Sequence, residues 1–267
     1  MLLVAAALIL ITVGGAVLLA AGTILGCMAY RELMAACSLE TDGRFRRLVE
    51  ITGYVLVVIL HVLIYISTDT FALFIWVALS VIVYLSIYVF TYPAFMDNQI
   101  RPSLFCLLYG PFLLSFVSLT RNAEMGAVTV WIIFISSSVC DVGAYCVGVL
   151  FGKHKLAPVL SPKKTIEGAV GGVVTAALGG YLYALWAVYS GSIGQEAYLL
   201  FPVFCGICSV FSMVGDLAAS AIKRDHIIKD YGSLIPGHGG IMDRFDSVLF
   251  TAPATYIATM IWFGGIR

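Results

Sequence analysis

The chain is predicted to be an all-α polytopic membrane protein with about nine transmembrane helices. Three observations carry that prediction. Of its 267 residues, 61% are hydrophobic and only 11% are charged, whereas soluble domains run near 25% charged. Mean hydropathy is +1.01. The apolar residues also form continuous runs instead of alternating, which suits spanning helices of about 20 residues and excludes an outer-membrane barrel.

The runs fall at 2–13, 16–35, 48–66, 71–91, 103–119, 126–150, 168–190, 198–222 and 247–265. Gly14-Gly15 is expected to divide the first two. Residues 2–13 reach only about 18 Å at 1.5 Å per residue, short of a ~30 Å hydrocarbon core. If residues 2–35 form one tilted helix, the count is eight. The first run carries no positive flank of a signal peptide and is read as a retained span. No internal repeat is visible. The whole of 1–267 is read as one membrane domain. Helices within 1–125 are mainly scaffold, and 126–267 carries the chemistry.

Charge placement sets the expected topology. With nine spans, loops 31–47, 92–102, 151–167 and 223–246 share one side. They hold 13 of the 15 Lys and Arg, leaving Arg121 and Arg267 opposite. The positive-inside rule makes the charged side cytoplasmic. The seven cysteines lie mostly inside apolar runs and read as small buried hydrophobes, Cys205-x-x-Cys208 included. Zero net charge gives no sign of a nucleic-acid partner.

The chemistry is expected in the polar island from Ser220 to Asp246. Ionised groups at membrane depth cost several kcal/mol unless paired, hydrated or metal-bound. Asp216, Ser220 and Lys223 are spaced i, i+4, i+7 and share a helix face. They form either a self-satisfying intramembrane pair or part of a site. Arg224, Lys229 and Asp230 follow. In Pro236-Gly237-His238-Gly239-Gly240, three glycines around one histidine permit positive φ and N–H groups aimed at phosphate. Asp243, Arg244 and Asp246 open the last run. Two acids, three apart, suit a helix N-terminus and equally a divalent cation.

A second cluster precedes it. Ser161 and Pro162 read as an N-cap and first helical residue, so Lys163 and Lys164 would line a helix N-terminus able to take an anion. A basic loop that sets topology is the plainer reading. Asp141 lies inside an apolar run near Ser136, Ser137, Ser138 and Tyr145. It is a second-tier candidate, as are Ser161, Thr165 and Glu167.

The 27-residue run Ser220-x-x-Lys223-Arg224-x4-Lys229-Asp230-x-Gly232-x2-Ile235-Pro236-x-His238-Gly239-Gly240-x-x-Asp243-Arg244-x-Asp246 resembles the full signature of the phosphatidate cytidylyltransferase family. The block from Asp141-x-Gly143-Ala144-Tyr145 through Gly152-Lys153-His154 to Ser161-Pro162-Lys163-Lys164-Thr165 and Glu167-Gly168 resembles it too. Together they cover roughly the C-terminal half. The resemblance implies a bacterial inner-membrane enzyme, active on its cytoplasmic side. It would convert CTP and phosphatidate to CDP-diacylglycerol and pyrophosphate, depend on one or two Mg²⁺ ions and form a homodimer.

On that reading, Asp216, Asp243 and Asp246 are the expected metal ligands, with Asp216, Lys223 and Asp246 catalytic. Ser220, Lys223, Arg224, Lys229, Asp230, His238, Gly239, Gly240, Arg244, Lys163 and Lys164 are expected to meet nucleotide or phosphate. The rival classes are a cation- or proton-coupled transporter and a CTP-dependent polyprenol or ether-lipid enzyme.

Overall fold

A computed structural model describes residues 10–37, 43–67, 70–93, 97–232 and 239–264. The break expected at Gly14-Gly15 is present. Both residues take positive φ, 67° and 56°, and end a short helix through residues 10–13. Arg121 donates to the exposed carbonyls of Ile11 (2.8 Å) and Thr12 (3.3 Å) at that end. Residues 2–35 are therefore not one continuous helix; most of the first run lies outside the described residues.

Seven helices among the described residues are long and apolar enough to cross a membrane. The packing groups into two compact units, Met1–Asn122 with His226–Arg244, and Ala123–Asp225 with Phe245–Arg267.

The first unit contains α1 (Gly15–Ala36), α2 (Gly43–Ile66), α3 (Thr70–Thr91), α4 (Asp97–Leu107) and α5 (Leu113–Asn122). A π-turn, Leu108–Phe112, joins the last two, and Pro111 inside it has no N–H to contribute to the ladder. Tyr30, Leu33, Leu60, Trp76, Tyr84 and Leu107 are fully buried. Their polar atoms are partnered as an apolar interior demands. The Tyr30 and Tyr84 hydroxyls meet at 2.8 Å, and Trp76 Nε1 donates to Leu56 O at 2.8 Å.

The second unit contains α6 (Gly126–Phe134), a π-turn (Ile135–Val139), α7 (Cys140–Phe151), a hairpin of β1 (Lys155–Ala157) and β2 (Ser161–Thr165), then α8 (Ile166–Tyr189) and α9 (Ala197–Asp225). Helix α10 (Met242–Thr259) starts in the first unit and runs on into the second, ending in a π-turn, Met260–Gly264.

Helix α8 is the packing axis of the second unit. Its buried residues Gly168, Gly172, Ala176, Gly180 and Ala184 recur every four positions. Small side chains in that register let neighbouring backbones come close, which is how helices associate where lipid supplies no hydrophobic drive. At Gly180 an added Cβ would lie 2.6 Å from the Phe201 carbonyl oxygen and 2.7 Å from Cys205 Sγ. Phe201 and Cys205 are fully buried there.

The hairpin segment departs from the sequence reading. Ser161 and Pro162 do not start a helix; they lie in β2, paired antiparallel with β1 in the register Ala157↔Ser161 and Lys155↔Thr165. Helix α8 begins five residues later than Ser161, with Thr165 as its N-cap: Thr165 Oγ1 accepts from Gly168 N at 3.1 Å. Both residues have capping hydroxyls. Thr165 wins because Glu167 in the first turn suits the helix dipole and the hairpin uses the backbone of Ser161.

Gly180→Leu is predicted to destabilise the folded protein by about 1–3 kcal/mol through overpacking. Leu182→Val, at a 65% exposed site on the same helix, is predicted to stay within about 0.5 kcal/mol of wild type. Thermal unfolding in detergent checks both; equal effects would contradict the role given to the α8 stripe.

Candidate active site

A pocket of about 490 Å³ lies in the second unit, within the range of small-ligand sites. Asp141 from α7, Lys155, Lys163, Lys164 and Thr165 from the hairpin, and Asp216 from α9 line it.

Each side chain is placed by a local device. The π-turn Ile135–Val139 ends two residues before Asp141, and such turns are frequent at functional sites. Asp141 lines the pocket wall together with Ala144 and Tyr145 of the same helix. The hairpin is pinned to α8 by Glu167. Its carboxylate accepts from Lys153 N (3.0 Å) and His154 N (3.2 Å) and pairs with His154 Nδ1 (2.6 Å). Ile166 N donates to His154 O at 2.9 Å, closing the same junction.

Alternation along β2 then separates the two lysines. Lys163 is exposed, whereas Lys164 turns inward and its ammonium forms an ion pair with Asp216. About a quarter of each of those two side chains is exposed, 26% and 27%.

Asp246 joins the group from α10. Gly215 on α9 faces its backbone, where an added Cβ would lie 2.7 Å from Asp246 O. Asp246 Oδ1 accepts from Ser247 N at 2.7 Å. The charges acting on Asp246 are Asp216, Lys223 and Asp141, and those acting on Asp141 are Asp216 and Lys164. Asp216 is thus the centre of a cluster of three carboxylates and two ammonium groups.

Carboxylate oxygens are the donors a hard divalent ion prefers, and Asp141, Asp216 and Asp246 supply them. Among the described residues no three His, Cys, Asp or Glu side chains already converge on one point. Mg²⁺ needs only one or two carboxylates, completing its shell with water and phosphate. The donor set fits such an ion.

The remaining candidates fall as follows. Ser220 and Lys223 are half-buried on α9 below Asp216, in the helical register expected, and Arg224 is exposed at its end. In the first unit, Lys229, Asp230 and Arg244 are exposed. His238 lies outside the described residues.

The N–H of Gly240 is not aimed at open space. Asp243 Oδ2 accepts from Tyr231 N (2.9 Å) and Gly240 N (3.0 Å), and Glu32 of α1 accepts from Ile241 N (2.9 Å) and Met242 N (2.8 Å). A carboxylate thus holds the Gly240 amide in this structure. Lys155 and Ser247 in the second unit, and Glu32 in the first, are residues that sequence reasoning missed. Lys155 was within a quoted basic loop, and Ser247 directly follows Asp246. Nothing in the sequence around Glu32 pointed to residues two hundred positions away.

A helical membrane protein with a carboxylate–lysine pocket is the class that fold and site define. More specifically, the chain belongs to the Cytidylyltransferase family, whose profile matches residues 1–262. It is similar to a phosphatidate cytidylyltransferase of Thermotoga maritima, 35% identical over 161 residues, which are 60% of this chain and 59% of that protein. One from Staphylococcus aureus strain COL is 34% identical over 180 residues, 66% of this chain and 67% of the relative. One from Mycobacterium bovis is 38% identical over 161 residues, 60% of this chain and 50% of the relative. The matched stretch thus spans less than two thirds of the Thermotoga and Mycobacterium relatives.

A double-mutant cycle on Lys164→Met and Asp216→Asn is predicted to give a coupling energy of about 1–3 kcal/mol in unfolding measurements. The double variant should be more stable than the two single losses summed. Strict additivity would show that the ion pair does not hold β2 to α9.

Proposed function

We propose that the chain is a nucleotidyltransferase that moves the cytidylyl group of CTP onto phosphatidate, giving CDP-diacylglycerol and pyrophosphate. The observation that carries this reading is the pocket lined by three hairpin lysines together with Asp141 and Asp216. Family membership and the complete Ser220–Asp246 signature support it.

The chemistry suits the residues. A phosphate oxygen of phosphatidate attacks the α-phosphorus of CTP, a new P–O bond forms, and the bond to the β-phosphate oxygen breaks. The lipid brings its own nucleophile, so none is needed from the protein. Two polyanions must approach, and fixed cations offset their repulsion. Lys155, Lys163 and Lys164 would grip one reactant's phosphates, and Lys223 with Arg224 the triphosphate. Asp216 and Asp246, with Asp141 beside them, would hold Mg²⁺. When bound, that ion supplies charge neutralisation for the leaving pyrophosphate. Asp243 was grouped with these ligands by its spacing; its bonds to Tyr231 N and Gly240 N favour a loop-holding role.

The lipid substrate also has a place to lie. Tyr145 and Val149 line the pocket and are 73% and 67% exposed on α7. Apolar surface beside a basic pocket is what a diacyl phosphate at headgroup depth requires. The charge asymmetry puts this end of the spans on the cytoplasmic side of a cell membrane, where CTP arrives from water. A homodimer belongs to this proposal through the resemblance alone, and light scattering of the detergent-solubilised protein checks it.

Purified protein given labelled CTP and phosphatidate is predicted to form liponucleotide with Mg²⁺ and none after chelation. Asp246→Asn should lower turnover by at least about 100-fold, the scale of losing a charge-stabilising group, while the variant still extracts as a folded species. Lys223→Ala should raise the apparent KM for CTP more than that for phosphatidate. Wild-type turnover in Asp246→Asn would sink the metal assignment.

A further inference from the structure

The sequence leaves α1 as scaffold, yet its last turn carries a carboxylate that reaches the signature segment. Glu32 is half-buried one turn before the end of α1. Its two oxygens split between successive amides: Oε1 takes Ile241 N and Oε2 takes Met242 N. Met242 is the first residue of α10, so Glu32 satisfies two N–H groups that a helix start would otherwise leave orphaned. A negative group there also matches the helix dipole.

The glycines of the segment make room for this contact. An added Cβ at Gly232 or at Gly240 would run into the Glu32 carboxylate. The carboxylate therefore sits between the two glycines, and neither position tolerates even alanine without moving it. From its own side Asp243 takes the amides of Tyr231 and Gly240. Three consecutive amides, Gly240 to Met242, are thus bound by two carboxylates from different elements. Gly239, with φ of 77°, turns the chain into that arrangement.

We infer that Glu32 is a positioning residue for nucleotide use: its carboxylate fixes the Gly239–Met242 turn and thereby the start of α10, which presents the signature's acidic and basic residues. This rests on the activity proposed above. It goes beyond the signature, which does not include α1. It also assigns phosphate recognition to side-chain cations, because the amides at this helix start are already occupied.

The test has two readouts. Hydrogen exchange at the Ile241 and Met242 amides, measured without substrate, should be slow in wild type and much faster in Glu32→Gln. In turnover assays, Glu32→Gln and Gly240→Ala should each raise the apparent KM for CTP by about 10- to 100-fold, the scale of a small misplacement at a site. The KM for phosphatidate should change less than twofold, and Glu32→Asp should recover part of the loss. Fast exchange in wild type, or equal losses for both substrates, overturns the inference.

If wild-type protein forms no liponucleotide, the activity reading falls separately. Calorimetric CTP affinity then decides the positioning role. Weaker binding in Glu32→Gln upholds it, and unchanged or absent binding overturns it.

Discussion

The ion pair between Lys164 and Asp216 is the contact on which the second unit's polar architecture depends. Asp141, Asp216 and Asp246 bring three carboxylates into a largely apolar protein. Desolvating such groups is costly, and their mutual repulsion adds to the cost. A cation delivered from another element offsets part of both. The local features of residues 152–168 follow from that need. Thr165 stops the strand and starts α8, Glu167 ties the hairpin base through His154, and the alternation of β2 turns Lys164 inward while Lys163 stays in solvent. The glycine and alanine stripe on α8 serves the same end, since it lets flanking helices approach closely.

Much of this was legible in the sequence, for physical reasons that differ by residue. The spans were legible because a bilayer imposes length and apolarity on each helix, and the Gly14-Gly15 break because glycine is a poor helix former that readily takes positive φ. Asp141 and Asp216 stood out because carboxylates in apolar runs are expensive, and Asp246 because it lies three residues from Asp243 at the start of the last run. The hairpin was not. Ser161-Pro162 and Thr165 both carry helix-start chemistry, and only pairing with Lys155–Ala157 decides between them. Glu32 was not legible either, since a carboxylate near a helix end normally faces water. Its role exists only in the tertiary fold, where it meets the amides of Ile241 and Met242.

The two acids grouped by their spacing on α10 also part company. Asp243 is committed to backbone amides in the first unit, and Asp246 belongs to the carboxylate cluster of the second. A spacing of three along a helix start is compatible with one shared ion; in this structure Asp243 accepts from two backbone amides, while Asp246 feels the charges of Asp216 and Asp141. The same division runs through the proposed chemistry. Backbone amides keep the protein in shape, while side-chain cations and carboxylates are left for phosphates and a divalent ion.

The central claim is that Asp216 and Asp246 form a divalent-cation site. The most direct measurement is a Mn²⁺ titration of the purified, substrate-free protein followed by electron paramagnetic resonance. A bound-ion fraction in wild type that disappears in the folded Asp216→Asn, Asp246→Asn double variant is the predicted result. Identical binding curves for the two proteins would contradict the account.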